Sequence, residues 1–112
     1  PGLRMRARAM HAYSARLPLV EPPADPEPLG TSTQGSLEAG LHHGILGELE
    51  GFIQRYTHGS ADTAVVLTGG DALRFTRGLK NGIFALPFLT LEGLHAILDH
   101  HRLGGVPAGN NR

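Results

Sequence analysis

The residues best placed to do chemistry lie in the stretch Thr63 to Ala72, TAVVLTGGDA. An apolar run that halts at a threonine, two glycines and an aspartate reads as a buried strand leading into a tight turn. It is of parallel type, because it barely alternates. Gly69 and Gly70 allow a close backbone approach that side chains would block. Asp71 stands where it can cap the helix expected over ALRFTRGL. A strand, a glycine turn and a helix N-terminus together suit a phosphate or nucleotide. A plain strand–turn–helix connection accounts for the same residues, so alone they leave both readings open.

Other reactive side chains point to less. Seven histidines invite a metal site. His42–His43 and His100–His101 are adjacent pairs that face different sides of a helix, and His95 and Asp99 share a face without an evident third ligand. Solvated or capping histidines are therefore the reading. Ser14, Ser32, Ser36 and Ser60 lack a nucleophile-elbow context. Neither a P-loop nor a dinucleotide-binding fingerprint is present. Glu38, Glu48, Glu50 and Asp71 could each supply a base, and spacing singles out none of them. With no cysteine there is no disulfide framework, zinc knuckle or thiol nucleophile, which fits a reducing cytoplasm. Lys plus Arg and Asp plus Glu are both 10. Such balance gives no global pull toward nucleic acid or an acidic membrane. No apolar run reaches the roughly 18 residues of a membrane span.

Several elements must position these residues. Residues 1–17 form a helix-compatible run with Leu3, Met10, Tyr13 and Leu17 near helical spacing. Arg4, Arg6, Arg8 and Arg16 read first as a solvated face, and otherwise as a cationic edge for an anionic ligand or a partner subunit. Residues 18–31 carry five prolines and three acidic residues and predict an extended loop. The longest helix is expected from about Thr33 to Tyr56, capped by Ser32 or Thr33, with an apolar stripe of Leu37, Leu41, Ile45, Leu49, Phe52 and Tyr56. Beside it runs a glycine stripe, Gly40, Gly44, Gly47 and Gly51, whose expected cause is close approach of another element, within the fold or across a dimer. Asn81-Gly82 predicts a turn, Ile83 to Phe88 a short strand, and Thr90 the cap of a last helix with Leu91, Leu94, Ile97 and Leu98 on one face. Residues 103–112 read as a disordered tail. The order α, loop, α, β, α, β, α gives an α/β class with a small sheet.

Four segments in order resemble the C-terminal half of type III pantothenate kinases: PGLRMRARAMHAYSARLP from Pro1, GTSTQGSLEAG from Gly30 running into GILGELEGFI, VVLTGGDA from Val65, and FLTLEGL from Phe88. The resemblance covers residues 1–102. It implies one ribonuclease-H-like lobe of an actin-like kinase fold of the acetate and sugar kinase superfamily, incomplete without the N-terminal lobe. It further implies transfer of the ATP γ-phosphate to pantothenate, the first step toward coenzyme A. The resemblance also brings a divalent ion such as Mg2+, a monovalent cation (potassium or ammonium), a homodimer and a cytoplasmic location. Thr33 matches the family's pantothenate-contacting threonine, Gly69, Gly70 and Asp71 would lie near the nucleotide, and Arg16 would approach the neighbouring subunit's site. The family's N-terminal phosphate loop, its general-base aspartate and its Asp-x-Gly-Thr segment are absent. No catalytic residue is therefore expected in this chain, which should be inactive alone, with apolar faces that leave it poorly soluble or self-associating. Since the first residue is proline, the sequence reads as a piece of a longer protein. A non-catalytic binding, dimerisation or regulatory domain of the same family is the alternative, and a lobe of another kinase on the same fold is a third reading.

Overall fold

Leu3 and Ala7 lie one turn apart, and both are buried in a helix, α1 (Leu3–Ala12), that packs on the long α2 (Thr33–Thr57). The computed structural model describes residues 1–58, 62–79 and 83–105. After α2 come β1 (Val65–Leu67), α3 (Ala72–Thr76), β2 (Ile83–Ala85), α4 (Leu89–His100) and a π-helical turn, His101–Gly105. β1 and β2 pair in parallel with Val65 opposite Ile83 and Leu67 opposite Ala85. A parallel pair needs a crossover, and α3 supplies it. The element order and parallel pairing are those expected from the sequence. Two three-residue strands among the described residues are not yet a ribonuclease-H-like sheet.

The core gathers Leu3 and Ala7 of α1, Leu41 and Ile45 of α2, Phe75 of α3 and Val20 of the Pro-rich loop, with Met10, Leu37, Leu46, Leu49 and Leu67 partly buried around it. Leu3 and Leu41 are 1% and 2% exposed, a burial that stabilises by about 1.5–3 kcal/mol for each side chain. Arg6 fastens the same contact from outside: its Nη2 donates to both Glu48 carboxylate oxygens at 3.1 and 3.0 Å, and its Nε donates to Pro1 O at 2.8 Å. Arg6 is thus an α1–α2 tie rather than part of a solvated face, although an ion pair this accessible is worth about 1 kcal/mol at most.

Several expectations are corrected. α1 ends at Ala12 rather than Leu17, because Ser14 turns the chain: its Oγ donates to Met10 O at 2.5 Å and accepts from Leu17 N at 3.2 Å. Tyr13 consequently leaves the helix and is 90% exposed. The apolar stripe of α2 is buried only in its first half, since Phe52 and Tyr56 stack on each other in solvent, 6.0 Å between centroids. A methyl group placed on Gly40, Gly44, Gly47 or Gly51 would meet nothing within 4 Å, so among the described residues no element approaches that stripe. Asp71 makes no side-chain cap on α3, and Thr90 lies inside α4, which begins at Leu89 after an uncapped Phe88. β2 ends at Ala85, before Pro87. The π-turn carries helical structure into the expected tail as far as Gly105. Asn81-Gly82 and residues 106–112 lie outside the described residues.

α4 buries no residue: Leu91, Leu94, Ile97 and Leu98 are each more than half exposed, with Phe88 and Leu103 beside them in sequence equally open. The radius of gyration is 19.3 Å over extents of 64 × 36 × 22 Å, against about 13 Å for a compact domain of this length. The excess accords with a 25-residue α2, roughly 37 Å long, and with an α4 that contributes no residue to the core cluster among the described residues.

Candidate functional site

The first turn of α2 is built by its sequence, Gly30-Thr-Ser-Thr-Gln-Gly-Ser36. Ser32 is extended at φ −139°, and its Oγ accepts from Gly35 N at 3.0 Å while its carbonyl accepts from Ser36 N at 2.8 Å. Of the two possible caps, Ser32 does the capping, which leaves the Thr33 hydroxyl out of that bond. The amides of Thr33 and Gln34 head the helix, where geometry provides no intrahelical acceptor and the helix dipole is positive. Gly30 runs directly against this turn, so that a Cβ there would overlap the backbone of Gly35 and Ser36.

This turn forms one wall of an open cleft of about 720 Å³, lined by Leu17, Gly30, Thr31, Ser32, Thr33, Ser36 and Leu37. Four hydroxyl-bearing residues and two leucines therefore line the cleft at a helix N-terminus. Such a lining suits a small ligand with hydroxyl and anionic groups at one end and an aliphatic body. Thr33 is in the lining. Arg16, exposed, directly precedes the lining residue Leu17.

The glycine turn stands apart from that lining. Gly69 has φ +101°, a conformation open to glycine and strained for other residues, and Gly69 O accepts from Ala72 N at 3.2 Å. Gly69 and Gly70 are exposed. Asp71 pairs with Arg74 at 3.9 Å, and its Oδ2 lies 3.6 Å from where a Cβ on Gly2 would stand, so it faces the start of α1. The structure thus places Thr33 in a cleft and Gly69, Gly70 and Asp71 on a turn outside the cleft's lining.

The other candidates stand outside the cleft's lining. Glu48 is held by Arg6, Glu38 accepts from Gln34 Nε2 at 3.0 Å, and Glu50 is exposed. His95 and Asp99 pair at 3.2 Å, and no group of three or more His, Asp or Glu able to hold a metal occurs among the described residues. His42 is neither solvated nor capping. It is 7% exposed with Nδ1 unpartnered, its ring 5.3 Å from that of Phe75. Burial, then the neighbouring His43, holds its pKa below 6.5, with Arg74 adding to the effect and Asp25 opposing it. His43 Nε2 donates to Pro26 O at 2.8 Å. Gly30 and Arg74 escaped the sequence reading, and His43, read as solvated or capping, instead holds a loop carbonyl. Gly30 could have been found from its place before a Ser cap, whereas Arg74 contacts Pro23 across 51 positions, with no local signal.

The family model for type III pantothenate kinase matches residues 1–55. Relatives named type III pantothenate kinase include that of Christiangramia forsetii, 41% identical over 102 residues, covering 91% of this chain and 42% of the relative. The Cytophaga hutchinsonii protein is 41% identical over 101 residues, covering 90% and 43%, and that of Bacteroides fragilis 41% over 101 residues, covering 90% and 42%. The chain spans about two fifths of the length of the curated relatives it matches.

Proposed function

From the premise that this chain belongs to the type III pantothenate kinase family, we propose that it is the C-terminal portion of an ATP:pantothenate phosphotransferase. It would form one ribonuclease-H-like lobe of an actin-like fold and be completed by an N-terminal lobe. The observation that carries this reading is the cleft at the start of α2, with Thr33 in its lining at the head of the helix. Pantothenate has hydroxyls, a carboxylate and a gem-dimethyl group. The helix N-terminus favours the negative charge, the Thr and Ser hydroxyls can accept and donate, and Leu17 and Leu37 offer apolar contact.

In this reading Gly69 and Gly70 let the nucleotide approach the backbone near Asp71, and Arg16 meets the second subunit of a homodimer. The open glycine stripe of α2 is compatible with such a contact. The described residues do not fit a metal on their own. The divalent ion would be held by the nucleotide phosphates and by groups of the other lobe, and no step at these residues passes through it. The monovalent cation rests on the family alone. Phosphoryl transfer needs positioning and charge neutralisation from both lobes, so the task of this chain is to hold and orient pantothenate while the general base comes from outside it.

The test is pantothenate-dependent ATP turnover by the chain alone and after assembly with the N-terminal portion of a relative such as that of Cytophaga hutchinsonii. Turnover is expected only in the assembly, and Thr33→Val there should raise the KM for pantothenate. An assembly that folds and binds ATP but leaves pantothenate unmodified would overturn the proposal in favour of a non-catalytic domain.

A further inference from the structure

Both ends of the Pro-rich loop lie in the cleft: Leu17 precedes it, and Gly30 and Thr31 follow. Between them, residues 18–29 contain no helix or strand. Their prolines lack amide donors, so no internal ladder can hold the segment in place. Contacts with the rest of the fold help to hold it. Val20 is buried in the core at 6% exposure. Arg74 of α3 donates from Nη1 to Pro23 O at 2.7 Å, with Pro22 O at 3.5 Å. His43 of α2 donates from Nε2 to Pro26 O at 2.8 Å. The first contact is apolar and non-directional, whereas the other two aim at individual carbonyls. Arg74 also pairs with Asp71, so one side chain joins the glycine turn to the loop.

We infer that residues 18–29 are a strap that sets the walls of the cleft, and that Arg74 and His43 are positioning residues for the substrate bound there. The inference rests on the cleft being the pantothenate site. Neither side chain lines the cleft; they act by holding the strap whose two ends do. A charged donor on a backbone carbonyl is among the stronger hydrogen bonds, and its loss frees a segment with little else to restrain it.

Two measurements test this. In the full chain, 15N order parameters of the non-proline residues between Leu19 and Thr31 are expected to fall from the rigid range of about 0.85 to below about 0.6 in Arg74→Met. Those of α1 and of residues 41–57 should be unchanged. Arg74→Lys, which can still donate to Pro23 O, should restore most of the order. In the assembled protein, Arg74→Met should raise the KM for pantothenate about tenfold, the scale of one lost charged hydrogen bond, with the KM for ATP within about twofold. An unchanged strap in Arg74→Met overturns the inference whatever the kinetics, and a mobile strap with an unchanged pantothenate KM overturns the substrate role. If Arg74→Met does not fold, His43→Ala, which removes the other directional contact, is read by the same two criteria. An assembly without pantothenate turnover sinks the functional reading instead, and the order parameters still decide the strap.

Discussion

Gly30→Ala and Gly40→Ala are the same substitution on either side of one helix start, and the structure assigns them opposite signs. At Gly30 a Cβ would overlap the backbone of Gly35 and Ser36. Those atoms cannot swing aside as a side chain could, because Ser32 holds both amides, Gly35 N at 3.0 Å and Ser36 N at 2.8 Å. Gly30 is not in the positive-φ region, so the cost is steric rather than conformational. Relief requires moving the first turn of α2, which loses the Ser32 cap at about 1 kcal/mol and adds an overpacking cost of about 1–3 kcal/mol. The sum, about 2–4 kcal/mol, is a large part of the roughly 5–15 kcal/mol that stabilises a domain and should lower Tm by about 10 °C. At Gly40 the added methyl meets nothing within 4 Å. Only the helix propensity gain of about 1 kcal/mol remains, which should raise Tm by about 4 °C. Calorimetry of the full chain at one concentration measures both. A Gly30→Ala Tm within about 1 °C of the parent would refute the packing of the loop on α2, and a destabilising Gly40→Ala would mean that another backbone lies on the glycine stripe.

Ser32→Ala should cost about 1 kcal/mol in urea unfolding, whereas Thr33→Ala should cost well under half of that, since the cap bond belongs to Ser32 alone. His42 carries a pH dependence. Its folded pKa lies below 6.5, so the unfolded chain binds the proton more readily, and the stability present above pH 6.5 is lost as pH falls toward the folded pKa. His42→Phe should flatten that slope between pH 7.5 and 5.5 in urea titrations, and an unchanged slope would assign it to other groups. On α4, Leu91→Glu with Leu94→Glu should reduce self-association of the full chain in light scattering while leaving helix content by circular dichroism unchanged, because neither residue is buried.

Much of the architecture was legible because local signals agreed. The Ser32 cap, the four-residue spacing of Leu37, Leu41 and Ile45, and the Pro-rich break before Gly30 placed α2 within a residue of its observed span. The barely alternating Val65–Leu67 run announced a buried parallel strand; β1 does pair in parallel, but it is not buried, since Val66 is 44% exposed and Val65 and Leu67 are half-buried. Local signals misled where a side chain had two possible partners. Asp71 looked like a cap, but its carboxylate turns to Arg74 and toward the start of α1. Tyr13 stood at helical spacing, but Ser14 ends the helix before that spacing can act. His42 was one of seven histidines with nothing to set it apart, and only the packing of α3, with Phe75 against its ring, makes it a buried base without a partner.

The sequence by itself determined where α2 begins, which residues are apolar at which period, and which motifs resemble a kinase half. These depend on interactions within a few positions of the chain, and so does the assignment of Thr33 to a helix N-terminus. The tertiary structure alone decided that Leu17 and Thr33 share a cleft, that Arg74 holds Pro23 across 51 positions, and that no described residue covers the faces of α4 and of the α2 glycine stripe. Contacts at such separations depend on how the elements stack to bury Leu3, Leu41 and Phe75 together, and no local residue pattern encodes that stacking.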